Sequence, residues 1–199
     1  MGRDSRRRRQ REGRAQKGVK TLIFCQGTRT EPDYLNALKR LERWPHMRVS
    51  AEALDPVKAV ETAVVKARRE DFREIYVLVD VDDTSRSELD RAAALCRKCT
   101  NKKLTFNLVV SHESFDCWLY AHVSKGRVPD QSREWFQRKL REGGHLVGPT
   151  GKALSGGFPV QRWQQATDNI IELAFGEVGI NPASAMGLML RHLATPTGH

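Results

Sequence analysis

The 199-residue chain predicts an α/β fold: a parallel-sheet core of about four strands flanked by helices, with a helical C-terminal part. Three observations predict it. Short apolar runs alternate with longer amphipathic segments between residues 21 and 110. The run Ile75-Tyr76-Val77-Leu78-Val79 is apolar throughout, as a strand buried on both faces requires. From Ser111 onward helical spacing takes over. Strands separated by helices of this length pair in parallel through right-handed crossovers.

Taken in order, Thr21-Leu22-Ile23-Phe24-Cys25 reads as a strand. Residues 31–43 read as a helix, with Leu35, Leu38 and Leu41 at helical spacing and Pro32 in the first turn. Residues 47–54 suit a short alternating strand. Asp55 is placed to cap a helix over 56–69 whose buried stripe is Val57, Val60 and Val64. Residues 74–80 form the central strand. A helix follows from Ser85 or Ser87 to Cys99, then a fourth strand over 104–110. Helices are expected over 113–123, 132–142, 160–175 and 183–193. Between the second and third of these lies 143–157, where six of fifteen residues are glycine. This predicts a long flexible loop, a kind of segment that often carries function. It lacks the order and the preceding strand of a nucleotide P-loop.

Composition narrows the class. Mean hydropathy is −0.56, and no apolar run is long enough to span a membrane. The N-terminus has charge without an apolar segment behind it, unlike a secretory signal. Of the four cysteines, Cys25 closes an apolar strand and Cys117 lies in an aromatic helical stretch. Both suit reduced core residues of a cytoplasmic protein. Cys96 and Cys99 form a C-x-x-C, but on a helix with no second pair downstream, which argues against zinc or redox chemistry.

The net charge of +10 is unevenly spread. Residues 1–19 hold eight Arg or Lys against two acids and almost nothing apolar, so this tail is expected to be disordered when free. The remaining residues, from 20 onward, are expected to form a single domain. An arginine-rich arm (Arg6, Arg7, Arg8, Arg9, Arg11) suits phosphates, because binding releases condensed counterions. A solubilising extension or a site for an acidic protein partner fits the same residues.

The chemistry is expected beyond the carboxyl ends of the strands. The central strand ends in Asp80-Val81-Asp82-Asp83. Asp80 and Asp82 share a face if the chain stays extended, and like charges that close call for a cation between them. Mg²⁺ or Mn²⁺ among Asp80, Asp82 and Asp83 is one answer. A solvated acidic loop that caps the next helix is the other. The first strand ends in Gln26-Gly27-Thr28-Arg29-Thr30-Glu31, which would face the Asp pair if the two strands are neighbours. Thr30 and Glu31 also have ordinary roles at a helix N-terminus.

Gln26-Gly27-x-x-Thr30-Glu31-Pro32-x-Tyr34 resembles the opening motif of RloB-like proteins, which are associated with bacterial restriction and abortive-infection loci. Asp80-Val81-Asp82-Asp83 is similar to that family's D-x-D-D strand end. The segment 111–122 resembles another of its motifs through Ser111, Phe115, Trp118, Leu119 and His122, with Asp116 standing where the family has Glu. Asn181-Pro182-Ala183-Ser184 resembles a fourth. The resemblance covers residues 20 to 193. It implies a Toprim-like fold in which a Glu after the first strand and a D-x-D after a later one hold Mg²⁺ for phosphoryl transfer, with an ATPase as a possible partner.

The position matching that Glu is Gln26, a neutral amide that cannot serve as a general base. Either Glu31 substitutes, or metal affinity is low, or the chain is a binding-only descendant. His122 lies one turn from Trp118 and could protonate a leaving group, or be structural. The expectation is therefore a metal-dependent nuclease-like effector of phage defence acting on DNA or RNA. Glu31, Asp80, Asp82 and His122 would be its catalytic residues, with Arg29, Lys152 and Arg162 on the phosphate backbone. A degenerate nucleic-acid-binding or regulatory subunit is the alternative, and an oligomer is possible in either case.

Overall fold

A computed structural model describes residues 20–81 and 84–195. The arginine-rich tail, Asp82 and Asp83 lie outside the described residues. In chain order the elements are β1 (Thr21–Cys25), α1 (Thr30–Glu42), β2 (Met47–Ala51), α2 (Pro56–Glu70), β3 (Glu74–Asp80), α3 (Arg86–Cys99) and β4 (Thr105–His112). There follow α4 (Phe115–Val123), α5 (Arg133–Glu142), β5 (Leu146–Val147), β6 (Ala153–Leu154), a 3₁₀ turn (Val160–Arg162), α6 (Trp163–Asn169), β7 (Ile171–Glu172), β8 (Ala183–Ser184) and α7 (Met186–Ala194).

The main sheet has the order β2-β1-β3-β4-β8-β7. Its first four strands are parallel, consistent with a Toprim-like α/β fold. The adjacency of β1 and β3 was the condition for bringing Glu31 near Asp80, and it holds, with Cys25 in register with Leu78.

Local sequence explains most boundaries. The Asp55 carboxylate accepts the Lys58 N–H at 2.9 Å and starts α2 at Pro56. Ser85, not Ser87, begins α3, because Ser85 and Glu88 form a reciprocal capping box. In α2 the fully buried stripe includes Ala59, Val60, Ala63 and Ala67, while Val57 and Val64 sit at its margin. Small residues there let the helix lie close on the sheet.

Three expectations are corrected. The helix expected over 160–175 ends at Asn169. The Asn169 amide donates to the carbonyls of Ala121 (3.0 Å) and Ser124 (3.2 Å), and Ile171 then pairs with Ala183. The helix expected from 183 starts at Met186, because Ala183 and Ser184 are taken as a strand antiparallel to the end of β4. The glycine-rich segment, expected to be a flexible loop, contains a hairpin, with Leu146 paired to Leu154 and Val147 to Ala153.

Trp118, Tyr34, Tyr76 and Phe24 are among the largest fully buried side chains. Tyr34 contacts Phe115, Trp118, His122 and Phe158 edge-on, with ring centroids 5.3–6.4 Å apart. His122 is fully buried in this cluster. Its Nδ1 faces the Trp118 carbonyl at 3.0 Å, so Nδ1 carries the proton and Nε2 accepts from the Tyr34 hydroxyl at 3.1 Å. Burial pushes the imidazole down to a pKa of about 4, so it is neutral at physiological pH.

Candidate active site

Beyond the carboxyl ends of β1 and β3 lies a cavity of about 340 Å³. Its walls come from the β1–α1 turn, the end of β3, the starts of α4 and α5, and the β5–β6 hairpin. Glu31, Asp80 and Asp116 enter it from three elements, with Arg133, Gln137 and Lys152 around them.

Each carboxylate is held by its local fold. Glu31 sits in the first turn of α1 and is buried. It accepts from its own backbone N–H and from that of Gly27. A Cβ on Gly27 would lie 1.9 Å from Glu31 Oε1, so glycine is what lets the carboxylate fold onto the turn. Asp80, the last residue of β3, is half-buried and accepts from the N–H of Phe115, the first residue of α4. This bond ties the end of β3 to the start of α4; the helix that follows β3 in the chain, α3, is capped by Ser85 instead. Asp116, buried in the first turn of the same helix, accepts from Gln137 Nε2 at 2.9 Å and faces Arg133 at 3.9 Å.

All three carboxyls titrate above their ordinary range. Burial is the main cause for each, and repulsion adds to it: Asp116 raises Glu31, while Glu31 and Asp116 raise Asp80. Arg133 pulls Glu31 and Asp80 back down, and Gln137, Arg141 and Lys152 do the same for Asp116. Because folding raises these pKa values, the native state holds protons that the unfolded chain releases. The stability this confers is present below the ordinary carboxylate range and is lost as pH rises through the raised native values. In metal-free protein the melting temperature is therefore expected to fall over that interval, and Asp80→Asn to flatten the fall. Melting curves across mildly acidic pH measure it.

Gln26 is held differently. Its Nε2 donates to the Leu54 carbonyl at 2.8 Å, and its Oε1 accepts the Asp80 backbone N–H at 3.4 Å. The amide ties the end of β1 to the β2–α2 connection and to β3.

The family model described as RloB-like protein matches residues 21–176. The chain belongs to the RloB-like family. No curated protein and no solved structure matches it. The match includes the three acids but ends before Asn181.

The RloB-like motifs meet in space. In the family's D-x-D-D, Asp80 is in register with Ser111 of the next motif, and Ser111 with Ser184 of the fourth. The two serine hydroxyls are 2.9 Å apart. Thr30 donates to the Lys152 carbonyl at 2.9 Å, and the Asn181 amide donates to Asp130 (2.9 Å) and to the Gln131 carbonyl (2.7 Å). Phe115 lines the cavity while Trp118 is wholly buried. Glu113 accepts the Arg133 N–H at 2.9 Å and so supports the start of α5.

Of the expected site residues, the cavity brings together Glu31, Asp80, Arg29 and Lys152. His122 is not among the lining residues; both its ring nitrogens are spent in the aromatic core. Asp82, Asp83 and the tail arginines Arg6, Arg7, Arg8, Arg9 and Arg11 are outside the described residues. Asp116, Arg133 and Gln137 were not singled out from the sequence as site residues. Asp116 had a legible signal, a lone carboxylate in the otherwise apolar run Phe115-Asp116-Cys117-Trp118-Leu119. Arg133 and Gln137 had none, since polar residues one turn apart are ordinary on a surface helix.

Among the described residues no group of three His, Cys, Asp or Glu side chains is close enough to hold an ion. Carboxylates from separate elements, pushed toward neutrality by burial and by each other, are the kind of oxygen donors that a hard divalent cation takes.

Proposed function

We propose that this RloB-like protein is a metal-dependent nuclease-like effector of phage defence that acts on phosphodiesters of DNA or RNA. The observation that carries this reading is the convergence of Glu31, Asp80 and Asp116 on one cavity beside Arg133 and Lys152. Acids alone would suit a cation, and bases alone a phosphate. Both together suit a cation and a phosphate at once.

Glu31 and Asp80 would hold Mg²⁺ or Mn²⁺, with Asp82 and Asp83 as further oxygen donors. The bound ion would activate water and stabilise the departing oxygen. Asp116 stays paired with Gln137 and Arg133 and keeps the Arg133 guanidinium at the cavity. Arg133, Lys152 and Arg29 supply positive charge for the phosphates on either side of the reacting one. An ATPase encoded nearby would be a natural partner. The test is cleavage of plasmid, single-stranded DNA and tRNA with Mg²⁺ or Mn²⁺: Asp80→Ala and Asp82→Ala are expected to lose the activity, and equal cleavage by wild type and both variants ends this reading.

A specific observation favours a second reading, a non-catalytic nucleic-acid-binding or regulatory subunit. The family's Glu position is filled by Gln26, a neutral amide that brings no negative charge to a cation and cannot act as a general base. Under either reading the arginine-rich arm supplies phosphate contacts. Removing residues 1–19 is expected to lower DNA affinity and flatten its dependence on salt; an unchanged salt slope removes the arm from the account.

A further inference from the structure

The β5–β6 hairpin forms one wall of the cavity and bridges α1 and α5. On the α1 side, Thr30 Oγ1 donates to the Lys152 carbonyl at 2.9 Å, and the Leu154 N–H donates to Asp33 at 3.4 Å. On the α5 side, the His145 N–H donates to the Leu140 carbonyl at 2.8 Å, and Arg141 Nε donates to the Gly151 carbonyl at 3.4 Å. Leu146, Gly151 and Lys152 thereby line the cavity together with Glu31 and Asp80.

The hairpin is a built element. Gly148 and Gly151 have φ of +84° and +60°, values that side chains rarely adopt. The Gly151 N–H closes a turn onto the Gly148 carbonyl at 3.0 Å, and a Cβ on Gly151 would meet Arg141 Nε at 2.5 Å.

A phosphate in a duplex lies on the outside of a rod whose second strand is paired to its own through the bases. For that phosphate to reach Asp80, which is half-buried and walled by α1, α5 and the hairpin, the second strand would have to clear the hairpin as well. An isolated strand needs room for one backbone, and its flanking phosphates would meet Lys152 and Arg29 at the rim. We infer that the site takes unpaired nucleic acid, with the β5–β6 hairpin as the element that excludes a duplex. The inference rests on the cation and phosphate reading of the same cavity.

The experiment separates the two. Fluorescence anisotropy of the full chain is measured on a labelled strand of about 30 nucleotides, alone and annealed to its complement, with and without Mn²⁺. Binding through the arginine-rich arm would not need the ion, so the gain on adding Mn²⁺ isolates the cavity. That gain is expected to be about tenfold or more on the single strand and under about twofold on the duplex. It is expected to vanish in Asp80→Asn. Releasing either support of the hairpin, by Thr30→Val with Asp33→Ala or by Arg141→Ala, is expected to bring the duplex gain to within about threefold of the single-strand gain. The two releases lie on different helices, so one can be read if the other fails to fold.

An equal gain on duplex in the wild type overturns the inference, as does a strand preference that survives both releases. A gain on neither form, with Mn²⁺ still raising the melting temperature, overturns it and leaves the cation reading intact. No Mn²⁺ response in melting overturns both.

Discussion

Asp80→Asn is expected to raise the melting temperature of the metal-free protein while lowering metal-dependent cleavage by roughly a hundredfold or more. The two effects have one cause. Asp80 is surrounded by Glu31 and Asp116, and burial and their charges together hold its carboxyl well above the usual range. Asparagine keeps an oxygen to accept the Phe115 N–H and removes the charge. Each kcal/mol of repulsion so relieved is worth about 2–4 °C in a protein of this size. The same substitution removes a charged oxygen donor, so added Mn²⁺ is expected to raise the melting temperature of wild type but not of the variant. Scanning calorimetry with and without the ion measures both. A variant that is less stable without metal, or that keeps the full Mn²⁺ response, contradicts the assignment.

Gln26→Glu is expected to destabilise the fold by about 1–3 kcal/mol and to leave cleavage no higher than in wild type. The family pattern by itself suggests the opposite, that Glu would restore a lost ligand. The local geometry argues otherwise. Gln26 Nε2 is the donor to the Leu54 carbonyl at 2.8 Å. A carboxylate there faces a carbonyl oxygen with no hydrogen between them, and it adds a negative charge next to Asp80. Chemical denaturation and a cleavage assay on the purified variant check the two halves. A variant of unchanged stability that gains metal binding and cleavage would show instead that Gln26 marks a decayed ligand, which is what the non-catalytic reading requires.

Where the sequence was legible, local patterns carried the information. The apolar run 75–79 announced the central strand because parallel strands are buried on both faces, and β3 ends at Asp80 as expected. Asp55 and Pro56 marked a helix start through capping chemistry alone. The pattern failed where tertiary pairing overrode helical spacing: 171–172 and 183–184 are strands because they find each other and β4. No local signal encodes that meeting. Glycine counts in 143–157 read as flexibility, whereas Gly148 and Gly151 serve the positive φ of a turn.

The candidate site divides in the same way. Glu31 and Asp80 were legible as acids at strand ends, and the sheet order makes them neighbours. Arg133 and Gln137 became part of the site only when α5 packed beside the start of α4. His122 shows the reverse case. A titratable residue in a family motif suggested acid chemistry, but a fully buried imidazole bonded at both nitrogens belongs to the core.

The central claim, that Glu31 and Asp80 share a divalent cation, is tested most directly by anomalous diffraction from crystals soaked in Mn²⁺. The account predicts a Mn²⁺ peak within bonding distance of carboxylate oxygens from both residues, inside the cavity beneath the hairpin. Data from saturated crystals with no peak there, or with Mn²⁺ bound only elsewhere, would contradict it.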